Sequence, residues 1–169
     1  DSVIIKSANS QERLLDETAM FLHRTVTKMS ETKQKMITNL HNRDDMFQDK
    51  TVLVVDDDMR NVFSLSQILS DKGLIVEKAS NGKEAMEYLK RHEPDIVLMD
   101  IMMPIMDGYE TITAIRKERR FWNLPIIALT AKAMKEDRDK CLSVGANDFL
   151  TKPVVKDRLF SIMRVWLYR

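Results

Sequence analysis

The sequence is poor in glycine and cysteine, and this scarcity excludes two kinds of site. Its only glycines are Gly73, Gly82, Gly108 and Gly145, which are too far apart to form the glycine-rich loop of a P-loop nucleotide site. The only cysteine, Cys141, excludes an internal disulfide framework and fits a reducing compartment, so we expect a cytoplasmic protein. Because Cys141 lies in an amphipathic stretch, we expect it to be a small core residue rather than a reactive thiol.

The sequence also lacks an excess of either charge and lacks long apolar runs. Lys and Arg number 27 against 26 Asp and Glu, so a net charge of +1 gives no field that would favour nucleic acid. No apolar run approaches the roughly 20 residues needed to span a bilayer, and we expect no membrane contact. The 169 residues suffice for one domain with an appendage. Since the first residue is Asp1 rather than Met, we expect a piece of a longer protein.

Residues 1–49 differ in pattern from the rest. Val3 to Ile5 predict a short strand, and a helical pattern runs from Ser10 to about Arg43. Apolar residues recur along it with the alternating spacing of a heptad seam: Leu15, Ala19, Leu22, Val26, Met29, Met36 and Leu40. Two interpretations remain open, an amphipathic helix lying against the following domain and a coiled coil. Residues 42–50, polar apart from Met46 and Phe47, are predicted to link this part to the next.

From Thr51 onward, short apolar runs alternate with amphipathic stretches. The predicted strands are 51–55, 74–79, 96–99, 124–129 and 147–150. The predicted helices are 61–72, 82–92, 109–118, 131–144 and 156–168. Such an alternation predicts an α/β domain with a doubly wound, five-stranded parallel sheet and helices on both faces.

Polar residues stand at the ends of these predicted strands, and parallel strands bring such ends to one edge of the sheet. The residues are Asp56, Asp57, Asp58, Asp100, Thr130 and Lys152. Carboxylates gathered in a small volume repel one another unless a cation is present, and Mg²⁺, which prefers oxygen ligands, is the natural occupant. A lysine and a hydroxyl supply the positive charge and the donor that a phosphoryl oxygen needs. The pattern therefore predicts phosphoryl transfer to Asp100.

Residues 50–169 resemble a receiver domain of two-component signalling along their whole length. The resemblance rests on the segments 52–58, 98–108, 129–131 and 149–153. It implies that Asp100 is the phosphoacceptor, that Asp56 and Asp57 form the acidic pair of the Mg²⁺ site, and that the ion is held by Asp57, Asp100 and the backbone carbonyl of Met102. It also implies that Thr130 and Lys152 contact the phosphoryl group, that the fold is flavodoxin-like with strand order 2-1-3-4-5, and that the Lys152–Pro153 bond is cis.

The resemblance carries further expectations about signalling. In this family Thr130 and an aromatic side chain on the fifth strand, here Phe149, move together on activation, and the side chains of Met102 and Lys132 overhang the phosphoryl group. The sequence is similar to the C-terminal receiver of a hybrid histidine kinase, which implies a histidine kinase core or a histidine phosphotransfer domain as partner. By itself the chain would be a self-phosphorylating receiver rather than a conventional enzyme.

Two other functions are alternatives to this one. A haloacid-dehalogenase-like phosphatase would use Asp56 as nucleophile and Asp58 as acid and base, but it needs a further acidic pair after its lysine, and only Asp157 follows Lys152 here. A receiver-like module that binds partners without phosphorylation is the other alternative. None of His23, His41 and His92 has the surroundings of a kinase's phosphodonor histidine, so we expect plain surface histidines.

Residues 3–14 parallel residues 149–159. Each stretch has an apolar strand, then a lysine (Lys6 or Lys152), a small or cyclic residue, and a helix beginning a few residues later. We therefore expect residues 1–24 to be the last strand and helix of an upstream receiver-like domain, with residues 25–49 as a connector. A terminal strand and helix cannot cover their own apolar face, so we expect homodimerisation through this segment.

Overall fold

The computed structural model of the chain describes residues 46–131 and 134–168. The predictions for residues 1–45, namely the first strand, the long helix and the upstream receiver-like unit, lie outside these residues. The predictions for His23, His41 and Lys132 lie outside them as well. Within the described part of the chain, every helix is too short or too polar to cross a bilayer.

Strands and helices alternate strictly in the described residues. The strands are β1 (Thr51–Val55), β2 (Ile75–Ala79), β3 (Ile96–Asp100), β4 (Ile126–Thr130) and β5 (Asp148–Thr151). The helices are α1 (Met59–Ser70), α2 (Gly82–Leu89), α3 (Gly108–Lys117), α4 (Lys135–Ser143) and α5 (Lys156–Leu167), with a 3-10 turn at Arg119–Phe121. All five strands pair in parallel in the order β2-β1-β3-β4-β5, which confirms the predicted fold class and strand order.

Both faces of the sheet are covered, as the near-continuous apolar strands predict. The side chains of β3 are buried throughout and alternate between two cores: Val97 and Met99 face one, while Ile96 and Leu98 face the other. Helices α2, α3 and α4 complete the first core with, among others, Leu89, Ile112 and Cys141. Helices α1 and α5 complete the second with Leu65, Leu69, Leu159 and Phe160. The domain is therefore a three-layer sandwich, and Cys141 is the small core residue that the sequence predicts.

Two helices that follow the site edge begin earlier than predicted, and side chains cap both of them. Helix α1 begins at Met59, two residues earlier than predicted, because the Asp58 side chain accepts a hydrogen bond from the Arg60 amide at 2.9 Å. Helix α3 begins behind a capping box formed by Asp107 and Glu110. Both caps lie in the loops that follow β1 and β3, so they fix where the helices leave the edge of the sheet that carries the predicted site.

The segment before β1 belongs to the second core, although the sequence predicts a polar link there. Phe47 is fully buried, and its ring lies 5.2 Å from that of Phe160, centroid to centroid. The Asp49 amide donates to the Gly73 carbonyl at 3.0 Å, and the Lys50 amide donates to the Phe47 carbonyl at 3.2 Å. Residues 46–50 are thereby held against α5 and the turn that precedes β2.

Candidate functional site

The predicted polar residues end or directly follow four neighbouring strands. Asp56 follows β1, Asp100 ends β3, Thr130 ends β4, and Lys152 follows β5. Because these strands are parallel and adjacent, their carboxyl ends form one edge. Asp56, Asp100 and Thr130 are buried, whereas Asp57 is exposed. We call this group of buried polar side chains, with the exposed carboxylate of Asp57 beside it, the cleft.

The ammonium group of Lys152 joins the two buried carboxylates of this cleft. Its Nζ atom lies 2.7 Å from Oδ2 of Asp56 and 3.0 Å from Oδ2 of Asp100. Both carboxylates come from the central strands β1 and β3, whereas Lys152 arrives from the loop after β5. The Lys152–Pro153 bond in that loop is cis, as predicted.

The carboxylate of Asp56 has two further donors besides Lys152. The backbone amide of Asp58 donates to its Oδ1 atom at 2.9 Å. The side-chain amide of Asn61 lies 3.2 Å from Oδ2 and 3.4 Å from Oδ1. Asn61 is the residue of the cleft that the sequence analysis missed. The sequence feature that could have identified it is its position in the first turn of the helix that follows Asp56 and Asp57.

Burial and charge act in opposite directions on the two central ionisable groups. Burial raises the pKa of the Asp100 carboxyl above its ordinary value, although the hydrogen bond and the charge of Lys152 oppose this. Burial alone would lower the pKa of Lys152, but its hydrogen bonds and ion pairs with Asp56 and Asp100 outweigh burial, and its pKa is raised. Lys152 is therefore a cation at neutral pH. Burial in the cleft disfavours the ionised form of Asp100.

Three carboxylates of the cleft could hold a metal ion. One oxygen from each of Asp56, Asp57 and Asp100 can be chosen so that the three lie within 4.8 Å of one another. Such a set of hard oxygen donors, one of them exposed, fits Mg²⁺, which keeps several waters and takes few protein ligands. The Met102 amide lies 3.3 Å from Oδ1 of Asp100, so the backbone that bears the predicted carbonyl ligand is adjacent to this set.

The loop between β3 and α3 returns to the end of β3, where the backbone at Gly108 packs closely against the backbone of Asp100 and Ile101. A Cβ atom on Gly108 would lie 2.3 Å from the carbonyl oxygen of Asp100 and 2.7 Å from Cα of Ile101, so only glycine fits there. The Gly108 amide donates to the Ile101 carbonyl at 3.0 Å. Met102 in the same loop is 63% exposed, which leaves its side chain free to overhang the cleft.

Phe149, the predicted switch aromatic, lies on β5 and is half-buried. Its ring packs against the first core, and the guanidinium of Arg138 on α4 lies 5.5 Å from the ring centroid. Thr130, its predicted partner in the switch, is buried at the end of the neighbouring strand β4. The two residues thus belong to adjacent strands, with Thr130 at the cleft and Phe149 nearer the surface.

The geometry weighs against the phosphatase alternative. That mechanism needs Asp58 as a proton donor, but hydrogen bonds from the side chain and backbone of Arg60 lower the pKa of Asp58 to about 2. A carboxyl group with so low a pKa holds almost no proton at neutral pH.

His92 is exposed, and its ring stacks on that of Tyr88 at 4.6 Å between centroids, away from the cleft, as expected for a plain surface histidine.

Comparison with known proteins identifies the family and shows the same architecture. The model of the family described as response regulator receiver domain matches residues 52–164. Hybrid signal transduction histidine kinase B of Dictyostelium discoideum is 43% identical over 114 residues, 61% of this chain and 6% of that protein. Sensor histidine kinase GacS of Pseudomonas protegens is 38% identical over 118 residues, 68% of this chain and 13% of that protein.

Among solved structures, the receiver domain of sensor histidine kinase PA1611 from Pseudomonas aeruginosa superposes with a TM-score of 0.68 and 34% identity. The match covers 72% of this chain and 99% of that one, which was solved with a magnesium ion coordinated in its active site cleft. The chain thus spans nearly all of a solved receiver but only a small fraction of the two kinases.

Proposed function

Because the chain belongs to the response regulator receiver domain family, we propose that it accepts a phosphoryl group from a phosphohistidine onto Asp100 in a magnesium-dependent phosphorelay. The observation that carries this proposal is the setting of Asp100. Its buried carboxylate stands 3.0 Å from the ammonium of Lys152 and beside two further carboxylates that can share a cation. A nucleophile, a fixed positive charge and a cation site are the parts that phosphoryl transfer requires.

In the proposed reaction, Asp56, Asp57, Asp100 and the backbone carbonyl of Met102 form the cation site. When bound, Mg²⁺ supplies charge neutralisation for the phosphoryl oxygens and offsets the repulsion among the carboxylates. One carboxylate oxygen of Asp100 forms a bond to phosphorus while the bond from phosphorus to the donor's imidazole nitrogen breaks. The imidazole keeps that electron pair and takes up a proton. Lys152 and the Thr130 hydroxyl bind the transferred oxygens.

The signal in this proposal is a conformational change that begins at Thr130. A hydroxyl drawn towards a phosphoryl oxygen leaves space behind it, and Phe149 on the adjacent strand is the half-buried aromatic that can occupy it. Because Phe149 has no hydroxyl group, it signals only through packing. Its contact with Arg138 supports this role, since a shift of the ring changes the position of α4.

We propose that the chain is part of a hybrid sensor histidine kinase in the cytoplasm, and that its partner is a histidine kinase core or a histidine phosphotransfer domain. The kinship with two sensor kinases supports this parent, and the free thiol of Cys141 fits the location. Five large apolar side chains exposed in segments that follow strand ends support a protein donor: Met59, Met102, Ile105, Met134 and Val155.

Phosphate uptake tests the proposal. The full chain is incubated with acetyl phosphate and Mg²⁺, and its intact mass is measured. We expect one added phosphate that depends on Mg²⁺ and that the Asp100→Asn variant does not take up. Asp57→Ala should take up little, because the cation site loses a ligand. Equal labelling of Asp100→Asn and the unaltered chain would rule out Asp100 as the acceptor.

We further propose that residues 1–49 are the end of an upstream receiver-like unit with its connector, and that this segment pairs two copies of the chain. The heptad spacing and the parallel between residues 3–14 and 149–159 support this. Light scattering of residues 1–169 against residues 46–169 tests the pairing; the shorter chain keeps Phe47, which the core requires. If both chains are monomers at high micromolar concentration, the pairing is contradicted.

A further inference from the structure

Asn61 is a polar residue of the cleft that has no place in the reaction described so far. It lies in the first turn of α1, three residues after the N-cap Asp58, and its side-chain amide faces both carboxylate oxygens of Asp56 at 3.2 and 3.4 Å. Asp56 is fully buried, so the orientation of its carboxylate depends on the donors around it.

The three donors to Asp56 differ in charge and in freedom. The Asp58 amide belongs to the backbone, and Asn61 is a neutral group on a short side chain anchored in a helix. Lys152 is charged, sits at the end of a long flexible side chain, and has a second partner in Asp100. Of the three, Lys152 is the donor with the most freedom to move, and it is the one that a bound cation repels.

A divalent cation among Asp56, Asp57 and Asp100 repels the ammonium of Lys152. Because the Coulomb energy is proportional to the product of the two charges, a divalent ion repels the ammonium about twice as strongly as a monovalent ion at the same distance. A cation bound there would therefore drive Lys152 away from Asp56 towards the phosphoryl side of the cleft. The Asp56 carboxylate then depends on Asn61 and the Asp58 amide to stay in position.

We propose that Asn61 is a positioning residue: its side-chain amide holds the Asp56 carboxylate oriented for the divalent cation while Lys152 exchanges Asp56 for the phosphoryl group. This inference rests on the proposed function and adds to it a residue outside the acceptor, cation and phosphoryl sites. Groups that orient metal-ligating side chains typically contribute about 10- to 100-fold to metal affinity.

Calorimetric titration of the full chain with MgCl₂ alone tests this role. Asn61→Leu, which keeps the size of the side chain but removes the donor, should weaken Mg²⁺ binding by about 10- to 100-fold. The matched control is Gln67→Leu on the same helix, which also removes an amide that donates to a carboxylate, here Asp71 at 2.9 Å. Gln67 is exposed and lies more than one helical turn beyond Asn61 along α1. Loss of its amide should therefore change the Mg²⁺ affinity by less than about twofold.

A double-mutant cycle separates positioning from a general effect on the fold. In an Asp56→Asn background, Asn61→Leu should change Mg²⁺ affinity by less than about twofold, since the carboxylate that it orients is gone. The inference is overturned if Asn61→Leu binds Mg²⁺ as tightly as Gln67→Leu does. It is equally overturned if the loss persists undiminished in the Asp56→Asn background.

A measurement without metal distinguishes failure of this inference from failure of the proposed function. In the NMR spectrum of the metal-free chain, the side-chain amide protons of Asn61 should shift when Asp56 is changed to Asn but not when Asp71 is. An unmoved Asn61 signal refutes the contact itself. A shifted signal in a protein that binds no Mg²⁺ leaves the contact standing and refutes the proposed function instead.

Discussion

Asp100 is kept in a setting that favours its neutral form, and this has a consequence for stability. Burial raises the pKa of its carboxyl in the folded protein. For such a group, the folded state is favoured most at a pH below the unfolded pKa of about 3.9, and this advantage is lost as the pH rises through the folded pKa. As the pH rises through this range, Asp100 of the metal-free protein therefore increasingly lowers the free energy of unfolding.

We accordingly expect Asp100→Asn to raise the midpoint of thermal unfolding of the metal-free protein at pH 7.5. The gain should shrink towards zero as the pH is lowered below about 3.9, because the carboxyl is then protonated in both states. The matched control is Asp139→Asn, which removes an exposed carboxylate on α4 and should change the midpoint little at either pH. An Asp100→Asn protein that is less stable than the unaltered chain at pH 7.5 would contradict this account of the cleft.

The site residues divide into those that the sequence predicts and one that it does not. Asp56, Asp100, Thr130 and Lys152 are predictable because each stands at the end of an apolar strand, and parallel strands converge at one edge. The contact of Asn61 with Asp56 depends instead on where α1 begins, which the Asp58 cap decides. A shift of the helix start by two residues would turn the Asn61 side chain by about 200° around the helix axis.

Among the secondary-structure elements, α4 departs most from prediction. Residues 131–134 are rich in good helix formers, which favoured a helix from Ala131, yet α4 begins at Lys135. Only Cys141 of this helix is buried. Cation–π contacts of Arg138 with Phe149 at 5.5 Å and of Lys140 with Tyr109 at 4.0 Å supplement this small apolar contact. Such contacts depend on the fold and leave no periodic pattern in the sequence.

The segment that precedes β1 contributes to the core out of proportion to its length. We expect Phe47→Ala to lower the free energy of unfolding by about 3–5 kcal/mol, because it empties a fully enclosed site beside Phe160. The control is Phe63→Ala on α1, where the ring is 69% exposed and its loss should cost less than about 0.5 kcal/mol. Urea unfolding of the full chain measures both, and equal values for the two variants would contradict a structural role for residues 46–50.

The domain formed by the described residues presents two different ends. The exposed apolar side chains that follow strand ends surround the edge that carries the cleft, and Phe63 extends this surface one turn along α1 from Met59. At the opposite edge, before β4, Trp122 is 58% exposed. An apolar rim is needed by a protein donor that must dock, but not by a small one.

We therefore expect Phe63→Ser to slow phosphoryl transfer from a phosphorylated histidine phosphotransfer domain at least about tenfold. This factor corresponds to a loss of about 1.4 kcal/mol in binding free energy. Transfer from acetyl phosphate should be unchanged, because the cleft itself is intact. Trp122→Ser is the control and should slow neither reaction. If Phe63→Ser transferred from the protein donor at the unaltered rate, the donor would have to dock elsewhere.

The position of the phosphate on the chain tests the central claim most directly. The full chain is phosphorylated with acetyl phosphate and Mg²⁺ and reduced with borohydride, which converts the side chain of a phosphorylated aspartate to that of homoserine. The protein is then digested and sequenced by tandem mass spectrometry. The account predicts that the conversion occurs at Asp100 alone and depends on Mg²⁺; conversion at Asp56 or Asp57, or none at Asp100, would contradict it.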